Sequence, residues 1–126
     1  MKAIRTVDKT TLLVADDDEG VLAFVCRLLE GDGHTVIRAH DGSEALALAR
    51  QHGESIRVLV TDIRMPGIGG RELAHAVVRM HPHIRVIYMT GFSEEHVERG
   101  AIALRKPFRP EALKAALNRP SKRHHA

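Results

Sequence analysis

The chain has 126 residues, 44% of them apolar, which is enough for one ordinary domain with a buried core and too few for two. Its formal charge is only +3, and much of the basic excess (Arg119, Lys122, Arg123) lies at the very end; with three Phe, one Tyr and no Trp to stack on bases, a nucleic-acid-binding module is disfavoured. No run approaches membrane-spanning length, Lys2, Arg5, Thr6 and Asp8 do not make a secretory signal, and the lone Cys26 has no internal disulfide partner, so a cytoplasmic setting without membrane contact is expected.

Thr11, Leu12, Leu13, Val14 and Ala15 form a short apolar run, read as a buried strand, that ends on Asp16, Asp17, Asp18 and Glu19. Residues 20–30 carry Val21, Leu22, Val25, Cys26, Leu28 and Leu29 at helical spacing and stop at Gly31 and Gly33. Cys26 falls within that apolar pattern and reads as a small buried hydrophobe. Residues 34–39 alternate in polarity, which suits a peripheral strand. Asp41 and Gly42 turn the chain, and Ser43 is expected to cap a helix running through Leu46 and Ala49 to Gly53.

Residues 56–62 read IRVLVTD, and the run Val58, Leu59, Val60 is too short for a helix and too apolar for a one-sided strand. It predicts a central strand buried on both faces, closed by Asp62 and followed by a loop with Pro66, Gly67, Gly69 and Gly70. Leu73, Ala74, Val77 and Val78 then mark a helix over 71–80 that Pro82 ends. A strand over 84–89 terminates on Thr90 and Gly91, and residues 93–99 have room for only a turn or two of helix before Gly100. A last strand over 101–105 meets Lys106 and Pro107, and Pro110 opens a final helix to Asn118. The nine histidines show no pair at metal-ligand spacing within the fold, and solvated roles are expected for them.

Strand and helix thus alternate, the pattern of an α/β fold with a doubly wound parallel sheet and helices on both faces. The more buried strands, first, third and fourth, belong at the centre, and the more polar second strand belongs at an edge. An order of 2-1-3-4-5 for the five strands, the flavodoxin-like one of the two common arrangements, satisfies this. Residues 1–10 are read as an N-terminal extension, 11–118 as the domain and 119–126 as a basic tail.

In such a sheet the strand ends gather at one edge. Asp16 and Asp17 close the first strand, Asp62 the third, Thr90 the fourth and Lys106 the fifth. Clustered carboxylates repel one another and are expected to protonate partly or to collect a cation. A hard divalent ion such as Mg²⁺ answers that repulsion, because it prefers carboxylate oxygens, waters and phosphate. A carboxylate can also act as nucleophile and form an aspartyl phosphate, with a Lys ammonium and a Thr hydroxyl offsetting charge on the transferring oxygens. Each feature alone has a plainer reading: a solvated helix start for 16–19, a turn cap for Asp62, a backbone bond for Thr90, a surface charge for Lys106.

Taken together, LLVADDDEG, VLVTDIRMPGIGG, VIYMTGFS and LRKPF resemble the receiver domain of two-component response regulators over essentially residues 12–117. The resemblance implies that Asp62 is the phosphoacceptor and that Asp17, Asp62 and the backbone carbonyl of Arg64 bind Mg²⁺ directly, with Asp16 helping through water. It also implies that Thr90 and Lys106 bind the phosphoryl oxygens, and that the Lys106–Pro107 bond is cis. The implied donor is a histidine kinase or histidine phosphotransfer protein, and output would come through partner binding or through acting as a relay or phosphate sink. Such a domain catalyses its own phosphorylation and dephosphorylation and is not a turnover enzyme on an external substrate.

Two departures stand out. Ala103 replaces the aromatic often found three residues before the lysine, and the piece between Gly91 and Gly100 is shorter than usual, a pattern similar to receivers of hybrid histidine kinases. An alternative of another class is a Mg²⁺-dependent phosphohydrolase with an Asp nucleophile. That chemistry needs a second general acid, and Arg64 stands where such phosphatases place an Asp. A degenerate receiver that only binds protein is the other alternative, and the intact acidic pocket argues against it.

Overall fold

A computed structural model describes residues 9–91 and 97–119. Its elements are β1 (Thr11–Ala15), α1 (Glu19–Gly31), β2 (Thr35–Ala39), α2 (Gly42–His52), a 3-10 turn (Gly53–Ser55), β3 (Ile56–Asp62), α3 (Gly70–Met80), β4 (Arg85–Thr90), β5 (Ile102–Arg105) and α4 (Pro110–Asn118). All strand pairs are parallel, in the order β2-β1-β3-β4-β5. The order follows from polarity: β3 buries all but Arg57, whereas β2 exposes Thr35 and Arg38 and takes an edge.

Successive strand residues point to opposite faces, so a strand covered on both sides must be apolar throughout. On one side Leu12, Val14, Val58, Val60, Ile87 and Met89 pack with Leu22, Val25, Leu29 and Leu113 from α1 and α4. On the other, Leu13, Leu59, Val86 and Tyr88 pack with Ala45, Ala49, Leu73 and Val77 from α2 and α3. Cys26 lies within the first layer, and burial pushes its thiol above the usual range, as expected of an inert core position.

Local details differ from the sequence expectations. Asp41, not Ser43, caps α2: Asp41 Oδ1 accepts from the Glu44 amide at 2.7 Å, and Glu44 Oε1 accepts from the His40 amide at 2.7 Å. This is a capping box, and Asp41 wins because it stands immediately before the first helical residue, where its short side chain reaches the third amide of the helix. The short helix expected over 93–99 falls partly outside the described residues; of its remainder, Val97 and Glu98 are in no helix and residues 99–100 form a turn. The extension over 1–10 and the tail over 119–126 likewise lie largely outside them.

Nor are the histidines all solvated. His83 Nε2 lies 3.0 Å from the Ile56 carbonyl, and His34 is only 6% exposed, its Nδ1 accepting from the Thr10 amide at 3.1 Å. That amide precedes β1 and needs an acceptor, and it can donate to Nδ1 only while that nitrogen is unprotonated. Burial holds His34 below its ordinary value, aided by the Lys9 charge and opposed by Asp32. A histidine depressed on folding binds fewer protons in the native than in the unfolded state. Its contribution is therefore complete above its unfolded value of about 6.5 and is lost as pH falls through the native one. Denaturant midpoints measured from pH 7.5 down to 5 should fall more steeply for the native chain than for His34→Gln, whose amide oxygen can still accept from Thr10. Parallel curves would remove His34 from the account.

Candidate functional site

Because every strand of a parallel sheet leaves at the same edge, residues distant in sequence meet there. Asp16, Asp17 and Asp62 each present a carboxylate oxygen, all lying within 4.8 Å of one another. Asp16 is fully buried, Asp62 nearly so, and Asp17 is exposed at the mouth. Lys106 reaches across from the end of β5, its Nζ 3.0 Å from Asp16 Oδ2 and 3.4 Å from Asp62 Oδ1. The remaining oxygen of Asp16 accepts from the Asp18 amide at 2.9 Å, so this carboxylate is held from two sides.

The backbone pins these side chains in place. Asp16 N donates to Ala39 O at 3.2 Å, Ile63 N to Met89 O at 3.2 Å, and Lys106 N to Thr90 O at 2.7 Å. Thr90 is buried at the end of β4, and the Lys106–Pro107 bond is cis. Arg64 follows Asp62 by two positions in the exposed part of the loop. Not all of the acidic run belongs to the pocket: Asp18 caps α1, its Oδ1 accepting from Gly20 at 2.9 Å and Val21 at 3.1 Å, which is the plainer role of an acidic helix start.

The loop after β3 folds back closely. Gly70 N donates to Ile63 O at 2.8 Å, and a Cβ at Gly70 would overlap the Asp62 carbonyl oxygen. Gly67 takes φ +75°, the left-handed region that favours glycine. These positions let α3 start directly beside Asp62.

Burial raises Asp62 above its ordinary value and the Asp16 charge adds to this, while Lys106 works against both. Burial alone would lower the Lys106 ammonium. Its hydrogen bond to Asp16 and the charges of Asp16 and Asp62 more than reverse that, and it stands above its usual value. Three carboxylates against one ammonium leave excess negative charge around hard oxygen donors, and Asp17 gives access from solvent. That donor set suits a small divalent cation such as Mg²⁺.

One pair had no signal in the sequence. The Tyr88 hydroxyl, fully buried on β4, donates to both carboxylate oxygens of Glu98, at 2.9 and 2.8 Å. Among the described residues no helix is long and apolar enough to cross a membrane.

A family model described as the response regulator receiver domain matches residues 12–118. The chain is similar to the sensor kinase CckA of Brucella abortus (strain 2308), 31% identical over 113 residues, which is 85% of this chain and 12% of that kinase's length. Among solved structures it is similar to a response regulator receiver domain protein from Clostridium thermocellum, with 32% identity, a TM-score of 0.80, and coverage of 86% of this chain and 91% of that one. It is also similar to a response regulator protein from Burkholderia pseudomallei with a phosphorylated aspartic acid, calcium ion and citrate, with 30% identity, a TM-score of 0.76, and coverage of 87% and 67%.

Proposed function

From the premise that this chain belongs to the response regulator receiver domain family, we propose that Asp62 is its phosphoacceptor and that Asp16, Asp17, Thr90, Lys106 and the Arg64 carbonyl complete the site. The observation that carries this is the meeting of three carboxylates with the Lys106 ammonium at the sheet's C-terminal edge. The chain is a receiver domain of two-component signal transduction, and receivers bind Mg²⁺ at such an Asp cluster. Here Asp17, Asp62 and the Arg64 carbonyl would hold the ion, with Asp16 acting through water; bound, it offsets charge on the transferring phosphoryl oxygens.

Asp62 contributes the nucleophile. One of its carboxylate oxygens forms a bond to phosphorus while the phosphorus–nitrogen bond of a phosphohistidine donor breaks, the imidazole leaving with the electron pair. The Lys106 ammonium, already 3.4 Å from Asp62 Oδ1, neutralises charge on the phosphoryl oxygens, and the Thr90 hydroxyl donates to one of them. Water later attacks phosphorus, the bond from phosphorus to the Asp62 oxygen breaks, and inorganic phosphate leaves as the carboxylate is restored. The donor is a histidine kinase or histidine phosphotransfer protein, and the setting is cytoplasmic. The functional unit spans 11–118, flanked by the extension and the tail.

The assignment separates metal binding from phosphoryl stabilisation. Asp17→Ala should weaken Mg²⁺ at least tenfold, and phosphorylation with it, because one of few charged ligands is gone. Lys106→Ala should keep or slightly tighten Mg²⁺ by removing a neighbouring cation, yet lose phosphoryl uptake. Mg²⁺ titrations alongside intact-mass measurement of acetyl phosphate labelling read both steps. Equal loss of Mg²⁺ affinity in the two variants would show the pocket to be wrongly assigned.

A further inference from the structure

Tyr88 and Thr90 stand two apart on β4 and therefore on the same face of the sheet. In register, Tyr88 lies directly beside Ala103 of β5, the exposed alanine whose side chain ends at a methyl and has no rotamer to change. The only tyrosine of the chain is thus placed beside a side chain that ends at its methyl. Its ring is buried, but its hydroxyl is not left to the core: it is shared between both oxygens of Glu98, a half-buried residue in the connection between β4 and β5. The Glu98 carbonyl in turn accepts from the Ala101 amide at 3.1 Å, so the contact fixes the turn that leads into β5.

We propose that the Tyr88–Glu98 pair is the output latch of this chain, closed in the unphosphorylated state and opened when Asp62 is phosphorylated. The proposal rests on Asp62 being the acceptor. The coupling runs along β4: drawing the Thr90 hydroxyl toward a phosphoryl group moves the end of the strand that carries Tyr88, and the Thr90 carbonyl is tied to Lys106 N at 2.7 Å. A phenol shared between two oxygens at 2.8 and 2.9 Å tolerates little displacement. Glu98 is at the edge of solvent and can exchange the phenol for water. Glu98, Gly100 and Ala101 also form one wall of a groove of about 380 Å³ whose other wall includes Val78, Arg79 and Val86. Opening the pair therefore moves a wall of that groove, turning a change at Asp62 into a change of surface.

Burial and the Glu98 bond together hold the Tyr88 phenol far above its ordinary value, with Arg71 opposing, so the phenol stays protonated and a donor at any physiological pH. A purely structural tie would have the same geometry but would not respond to phosphorylation. The composition supplies the probe that separates the two, since with no Trp, and with Phe excluded by exciting in the tyrosine band, emission comes from Tyr88 alone. A phenol that donates to a carboxylate is strongly quenched. Beryllofluoride with Mg²⁺, standing in for the phosphoryl group on the full chain, should raise tyrosine emission about twofold or more. It should also speed exchange of the Ala101 amide roughly tenfold, the scale of losing one charge-assisted hydrogen bond. Glu98→Gln should begin bright and change little, and Tyr88→Phe should show fast Ala101 exchange before and after addition.

Bound beryllofluoride is followed independently by ¹⁹F resonance, with Asp62→Asn as the blank. Bound fluoride with unchanged emission and unchanged Ala101 exchange overturns the latch and leaves the acceptor assignment standing. An equal rise in Glu98→Gln also overturns it, because Tyr88 would then be sensing something other than Glu98. Absence of the bound ¹⁹F signal in the native chain overturns the acceptor assignment and the latch with it.

Discussion

Asp62→Asn should take up no phosphoryl group at neutral pH while remaining at least as stable as the native chain. The first half follows from chemistry: an amide oxygen is a poor nucleophile toward phosphorus, and the neighbouring Asp16 is already committed to Lys106 Nζ and the Asp18 amide. The second half follows from electrostatics. Asp62 is nearly buried and faces Asp16 and Asp17, and both burial and like charge penalise its ionised form. Asparagine keeps the shape and removes that penalty, while Lys106 retains Asp16 as its partner at 3.0 Å. Intact-mass measurement after acetyl phosphate and Mg²⁺, paired with thermal melts, reads both. A stable added phosphoryl group on the variant would place the acceptor elsewhere, and a sharply lower melting point would show that Asp62 supports the fold through contacts its charge conceals.

Gly70→Ala should be the most damaging of the glycine substitutions beside the site. Its Cβ would overlap the Asp62 carbonyl oxygen and come within 2.9 Å of the Asp62 carbonyl carbon and Ile63 Cα, all of them backbone atoms with no rotamer to yield. The start of α3 would have to move away from the end of β3, stretching the Gly70 N to Ile63 O bond. A loss of about 3 kcal/mol is expected, which in a domain of this size lowers the melting point by on the order of 10 °C. Gly31→Ala is the control: that glycine ends α1, nothing lies within 4 Å of the added carbon, and alanine should be neutral or stabilising by up to about 1 kcal/mol. Similar melting points for the two variants would mean that the close approach at Gly70 relaxes without cost.

The strand ends were legible in the sequence because a buried parallel strand advertises itself twice, by an unbroken apolar run and by the abrupt polar residue where it leaves the core. Val58, Leu59, Val60 and Asp62 show this most plainly, and sheet order makes β1 and β3 neighbours whose polar ends, Asp16 and Asp62, leave at the same edge. What could not be read was the choice among equivalent partners. Nothing in the run of acids says that Asp16 turns inward to Lys106 while Asp18 turns to the helix amides, since the two are chemically identical neighbours between β1 and α1. The Asp41 cap was in fact encoded, as Asp followed three residues later by Glu44, and Ser43 merely competed for the same role. Tyr88 and Glu98 lie ten positions apart in different parts of the chain, and no spacing in the sequence pairs a phenol with one acid among many. His34 reads as a peripheral polar residue because the unpaired Thr10 amide that recruits it is visible only in three dimensions.

The ion pair between Asp16 and Lys106 joins positions 90 residues apart, with β3 and Asp62 between them in the chain. During synthesis from the N-terminus, β1 and β3 can pair long before β5 has been made, and through that interval Asp16 and Asp62 have no ammonium between them. Local helices form early and cheaply, whereas this contact must wait for positions 90 residues apart to meet. The acidic pocket is thus among the last features to mature, and a nascent chain lacking β5 holds clustered carboxylates without their ammonium. Completion of the pocket is thereby tied to completion of the sheet.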